Sequence, residues 1–326
     1  MQHQPFRLKV TYNIYSRRWY NGVRRSALQH ELREDQMIFR LPRALIMAHY
    51  DPHGLNDTHV LYSLEAYRRV FDHITFVSVS ADRLPIGREG LVDTFIFREN
   101  VGYDFFSWKI GFNALVDKER FFEIIFTNDS IFGPLFDIEH ALLAPRVKEA
   151  EFWGLTSSMV PNWHIQSYFF SMRHRLLISS AARDYWDAIR SFKNKGEVIN
   201  ACEMRMADYF RSRNWLTEVI YEGPSSPPFR WHVTRLGTDL RQPINLAKYL
   251  YYNLLHSDWR LRKQNPMNYL WRSAIEAGVP FIKVELLRAN PLMLPLQPIH
   301  DYISRNTRYP LDLIFAHLRR TARISA

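Results

Sequence analysis

Apolar residues in this chain gather in short, dense runs that break abruptly into polar, turn-forming clusters. The densest run is Phe121, Phe122, Ile124, Ile125 and Phe126, which ends in Asn128, Asp129 and Ser130 and then the turn pair Gly133 and Pro134. A near-continuous aromatic and β-branched run of strand length predicts a strand covered on both faces, as in the middle of a parallel α/β sheet. Comparable runs predict strands over 43–49, 74–79, 91–97, 151–157 and 164–172. Val60, Leu61, Leu64, Tyr67 and Val70 recur at helical spacing and predict a helix over 57–71. Further helices are expected over 105–116, 173–192, 198–215, 245–255, 266–277 and 309–323. Strands alternating with helices imply right-handed crossovers, so the expected fold class is α/β: a mostly parallel sheet flanked by helices, with a helical C-terminal extension.

Three successive strands end in Asp- or Asn-bearing loops, at Asp51, at Asn100 to Asp104, and at Asn128 with Asp129. In open α/β sheets ligands bind outside the carboxyl ends of the strands, so this shared edge is the expected site. Carboxylate oxygens there suit Mg²⁺ or Mn²⁺ bound together with substrate phosphates, and Asp129 is the first metal candidate. Gly102 would let backbone approach a ligand closely. The chain has no GxGxxG after its first strand and no Walker, HExxH or GxSxG sequence, which argues against classical dehydrogenases, P-loop ATPases, zincins and α/β-hydrolases.

Charge refines the layout. The net +10 divides into +6 over residues 1–43, −5 over 44–228 and +9 over 229–326. An acidic middle argues against nucleic acid as partner, because phosphate neutralisation needs Lys and Arg in the cleft. Basic flanks suit an anionic membrane surface. The Pro-, Ser- and Gly-rich stretch from Tyr221 to Pro228 reads as a linker, giving a basic segment 1–42, a central domain 43–228 and a basic, mainly helical region 229–326. One cysteine, Cys202, rules out an internal disulfide framework; with no apolar leader run, a cytoplasmic protein, peripheral on the inner face of the plasma membrane, is expected.

Several ordered strings carry a family resemblance: Asn100 to Asp104 followed by Trp108 and Lys109, Thr127 to Pro134, Phe152 to Thr156, His164 to Tyr168, Val198 and Ile199 with Glu203, and Pro280 to Lys283 with Glu285 to Pro291. Over roughly residues 43–292 the chain resembles the rhamnan synthesis protein F family. The resemblance implies a GT-A-type glycosyltransferase of bacterial surface polysaccharide or O-antigen assembly. It would move a sugar from a nucleotide donor, typically dTDP-L-rhamnose, to a lipid-linked glycan, with inversion. It further implies that Asn128, Asp129 and Ser130 stand where such enzymes keep a DxD motif, here with one carboxylate. By the same similarity Asp51, Asn100, Gly102 and Asp104 contact the donor, and Lys109 reaches a phosphate. An inverting transfer needs a general base, for which Glu203 is the first candidate and Asp104 the second. His164 and Gln166, two apart on a strand, face one side and are candidates for sugar hydroxyls, and Trp153 for stacking on a ring. Lys283 and Glu285 read as pins for the C-terminal tail. The alternative is a non-catalytic sugar-nucleotide-binding or scaffold component of an assembly complex, which the single carboxylate favours.

Overall fold

A computed structural model describes residues 9–12, 41–159, 162–222, 266–291 and 294–321. The expected helix over 245–255, most of the basic N-terminal segment and most of the linker lie outside the described residues.

The chain runs β1 (Lys9–Tyr12), β2 (Arg43–His49), α1 (Thr58–Arg68), β3 (His73–Ser78), β4 (Thr94–Phe97), α2 (Tyr103–Ala114), β5 (Glu123–Asn128) and β6 (Ile131–Phe132). It continues through α3 (Glu139–Leu142), β7 (Phe152–Ser158), β8 (His164–Ile165), β9 (Phe169–Arg173), α4 (His174–Leu177), α5 (Ser180–Ala188) and α6 (Lys195–Val198). A π-helical turn at Ile199–Glu203 leads into α7 (Met204–Arg211) and β10 (Thr217–Tyr221). The C-terminal part holds α8 (Trp271–Glu276), β11 (Ile282–Lys283), α9 (Val284–Arg288), α10 (Gln297–Asn306) and α11 (Leu311–Thr321).

The main sheet has the order β1-β4-β3-β2-β5-β9-β7-β10, with β8 on β7. β2, β3, β4 and β5 are mutually parallel, and β10 is parallel to β7. β9 runs antiparallel between β5 and β7, and β1 is antiparallel on β4. The sheet is therefore mostly parallel but mixed, as the apolar runs predicted for its centre. Every residue of β2 and β5 is buried, because helices cover both faces. Alternate residues of β2 serve the two layers: Ala44, Ile46 and Ala48 join α2, α5 and α7, while Leu45 and Met47 join α1, α3 and α8.

Several expected boundaries shift for local reasons. The single strand over 164–172 is two, β8 and β9, and the helix over 198–215 is interrupted by the π turn. β10 falls in TEVIY, five residues too short and too polar to stand out by pattern, and it carries the sheet up to the point where a linker was expected. The helical C-terminal extension is present as expected and packs against the sheet. β11 pairs with β6, and Trp271, Leu286, Ile303 and Ile314 share a buried cluster with Phe132 and Leu135. That docking depends on Gly133, whose φ is 148°: a Cβ there would lie 2.5 Å from Phe281 and 2.6 Å from the Pro280 carbonyl.

Candidate functional site

β2 and β5 are adjacent and in register, so the residues at and just past their ends, Tyr50, Asp51, Asn128 and Asp129, meet at one edge. The Tyr50 amide donates to Asp129 Oδ2 at 2.7 Å. Beside them α2 begins at Gly102, which adopts φ 76° and stands against Phe106 and Ser191, so a Cβ would clash at 2.7 Å. Gly102 is thus required by the turn and its packing; the space above it is filled by protein rather than left for a ligand. Arg98, wholly buried at the end of β4, ties the preceding loop by donating to the carbonyls of Glu99, Val101 and Tyr103 and to Ser107 Oγ. The amino end of α2 therefore presents its unpaired amides and partial positive charge at a fixed place on this edge.

Asp104, in the first turn of α2, accepts a hydrogen bond from Asn128 Nδ2 at 2.8 Å. Asn128 Oδ1 in turn accepts from the Ser130 amide at 3.1 Å and Ser130 Oγ at 2.6 Å. Asn128 and Ser130 are thereby engaged in shaping the turn and holding Asp104. Burial, reinforced by the charge of Asp104, pushes the Asp129 carboxyl well above the ordinary carboxylate range. Burial likewise raises Asp104, with Asn128, Lys195 and Arg98 opposing it and Glu203 adding to it. Neither carboxylate has an ion-pair partner within 4 Å among the described residues. The two come from different elements, and together they supply the pair of carboxylates that the local Asn128-Asp129-Ser130 string lacks.

Glu203 closes the π turn and accepts the Ser167 amide at 3.0 Å. Such turns are rare inside helices and often mark functional positions, because the extra residue re-aims a side chain. Its charge is felt by Asp104 and by Lys283, which places all three around the same edge.

Other expected site residues have different surroundings. Lys109 donates to the carbonyls of Asp187 and Ile189 at 3.0 and 2.8 Å, capping the carboxyl end of α5 rather than reaching toward the edge. Trp153 is wholly enclosed and donates to Glu123, so it offers no face to a sugar. His164 is buried against the Asn162 carbonyl, and Gln166 Oε1 accepts from Thr156 Oγ1 at 2.7 Å. Asn100 is exposed in the loop before α2.

Asp51 is fully engaged. It accepts from the amides of His53 and Leu55 and from the Arg320 guanidinium on α11; burial opposes its charge, but these donors outweigh it and hold the carboxyl below its ordinary value. Arg320 also reaches Asp57, which accepts from His317 Nδ1 at 2.8 Å. Asp57, His59 and His317 bring ligand atoms within 4.8 Å of one another, a grouping that no spacing in the sequence revealed. A guanidinium already neutralises that carboxylate, so the group reads as a clasp holding α11 to the first strand-end loop. An open cleft of about 750 Å³ adjoins it, lined by Gly54 to Thr58, Ser80 to Pro85, Phe97 and Arg320. Among the described residues no helix is long and apolar enough to cross a membrane.

A curated relative, the virulence protein VirA of Vibrio anguillarum, is 30% identical over 208 residues, 62% of this chain. The alignment spans 65% of that relative's length. Among solved structures, a mannosyltransferase, PcManGT from Pyrobaculum calidifontis in complex with GDP-Man and Mn²⁺, aligns over 89% of this chain and 77% of its own at 11% identity and a TM-score of 0.37. A 4-diphosphocytidyl-2C-methyl-D-erythritol synthase from Anaerococcus prevotii aligns over 57% of this chain and 90% of its own, at 11% identity and a TM-score of 0.34. The family model described as Rhamnan synthesis protein F matches residues 76–227, which include Asn100, Asp104, Asn128, Asp129 and Glu203. Over these residues the chain is similar to the rhamnan synthesis protein F family.

Proposed function

We propose that the chain is a glycosyltransferase that takes a sugar from a nucleoside-diphosphate donor held at the carboxyl edge of the sheet. The observation that carries this reading is the gathering of Asp104, Asp129 and Glu203, three carboxylates without a cationic partner at ion-pair distance among the described residues, beside the amino end of α2. Among the described residues the buried carboxylates Asp51, Asp57 and Glu123 are all paired with cations, whereas these three, partly buried, are not, which marks them as candidates for function. The nucleoside occupies the cleft bounded by the loops after β2 and β3, and the diphosphate lies toward Asp129 and the amino end of α2. A divalent cation held by Asp104 and Asp129 would neutralise the diphosphate charge there.

The match of residues 76–227 to the rhamnan synthesis protein F model supports L-rhamnose, as dTDP-L-rhamnose, as the transferred sugar, and a growing lipid-linked surface glycan as the acceptor. Glu203 takes the proton of the acceptor hydroxyl as the anomeric centre inverts. The basic flanks hold the enzyme against the anionic inner face of the membrane.

The test is release of nucleoside diphosphate from a panel of nucleotide sugars, with a membrane fraction as acceptor and with or without Mn²⁺. Turnover of dTDP-L-rhamnose is expected, and Glu203→Gln should lower it by roughly 10²–10⁴-fold with donor binding retained. If no nucleotide sugar binds or turns over, the reading fails. Binding without transfer would assign the chain a non-catalytic role in the assembly complex.

A further inference from the structure

Lys283 reaches the site from a part of the chain far from the other site residues and outside the family match. Its strand β11 pairs antiparallel with β6, setting Lys283 opposite Ile131. The Val284 amide donates to the Ser130 carbonyl at 2.9 Å, and the Leu135 amide to the Pro280 carbonyl at 2.7 Å, so the segment is pinned on both sides to the turn that follows Asp129. The Lys283 ammonium stands over the Tyr168 ring, 4.7 Å from its centre. No carboxylate lies within ion-pair distance of it among the described residues, although it feels the charges of Glu203, Glu285 and Asp104. A half-buried ammonium held by a stacked ring and a short sheet, with carboxylates near but not touching, is a cation kept for an anion that arrives later.

Resting on the donor reading above, we propose that Lys283 binds the diphosphate of the donor and stabilises the nucleoside diphosphate as it leaves. In the transfer, the bond between the anomeric carbon and the β-phosphate oxygen breaks, and its electron pair stays on that oxygen, next to the Lys283 ammonium. The acceptor oxygen bonds to the anomeric carbon, and its proton passes to the Glu203 carboxylate. A fixed cation aimed at the oxygen where charge develops acts in the transition state more than in the bound ground state.

The experiment compares wild type and Lys283→Met, which keeps the aliphatic contact with Tyr168, by calorimetric binding of dTDP, UDP and GDP and of the matching monophosphates. Wild type is expected to prefer the diphosphate over the monophosphate of its nucleoside by at least about tenfold. Lys283→Met should lose that preference while monophosphate affinity and melting temperature hold, and Lys283→Arg should restore most of it. A Lys283→Met protein that retains the diphosphate preference overturns the proposal and leaves the donor reading standing. A wild type that binds none of the six nucleotides overturns both.

Discussion

Glu123 and Asp129 lie six positions apart, at and just past the two ends of β5, and the fold surrounds them with opposite company. Glu123, at the amino end, is wholly buried and accepts from Arg43 Nε at 2.6 Å, Ser171 Oγ at 2.9 Å and Trp153 Nε1 at 3.2 Å, with Arg173 at 3.6 Å. Asp129, past the carboxyl end, has one backbone amide at 2.7 Å, and burial, reinforced by the charge of nearby Asp104, raises its pKa. The same strand thus ends once in a completed ion-pair network and once in a deficit of positive charge. A buried carboxylate with all its donors in place holds layers together; one left short is poised for a cation or a ligand's counter-charge.

The largest expected effect falls on the completed end. Glu123→Ala leaves Arg43 and Arg173 without their carboxylate, and denaturant unfolding should show a loss of about 3–5 kcal/mol. A loss under about 1 kcal/mol would show that the amino-end network is not what holds β2, β5 and β9 together. At the other end, Asp129→Asn should lower transfer by about a hundredfold, the scale of removing one preorganised electrostatic contact, while the fold survives. Its stability should respond to pH in a defined direction. A carboxyl whose folded pKa is raised stabilises the fold in acid, and that contribution is lost as pH rises from the ordinary carboxylate range through the raised value. Wild type should therefore fall behind Asp129→Asn in melting temperature as pH increases, and parallel curves would remove the charge deficit from the comparison.

The clasp at the same sheet edge gives the smallest effect and the opposite slope. Asp51 and Asp57 have lowered pKa values, so their stabilisation is present above the ordinary carboxylate range and fades as pH falls below it. Arg320→Ala should cost about 1–3 kcal/mol at neutral pH, discounted because the guanidinium is partly exposed, and should flatten that acid loss in a melting series. An unchanged series would mean that α11 is held by its apolar face alone.

Much of the sheet was legible because its central strands are buried on both faces and so cannot avoid long apolar runs. β2 spans the residues that its run marks out, and β3, β4, β5 and β7 begin and end within three residues of theirs. The site was legible only in part. Asp104 and Asp129 stand out as polar interruptions after strands, but nothing local says that Asn128 bridges to Asp104, or that Lys109 is consumed by two carbonyls at the carboxyl end of α5. Trp153 carries the same letter whether it stacks on a sugar or fills a core, and only its enclosure between β9 and the helices on that face decides.

The sequence by itself determined the layers, the direction of the central strands and the edge at which polar loops collect, because these follow from short-range periodicity and burial. Which of the collected charges are neutralised was decided by the tertiary structure alone. Arg320 lies 269 positions from Asp51, and Lys283 meets the turn after Asp129 only because Gly133 admits Phe281. Charge pairing depends on distance in space, weakens as the charges separate, and has no period along the chain.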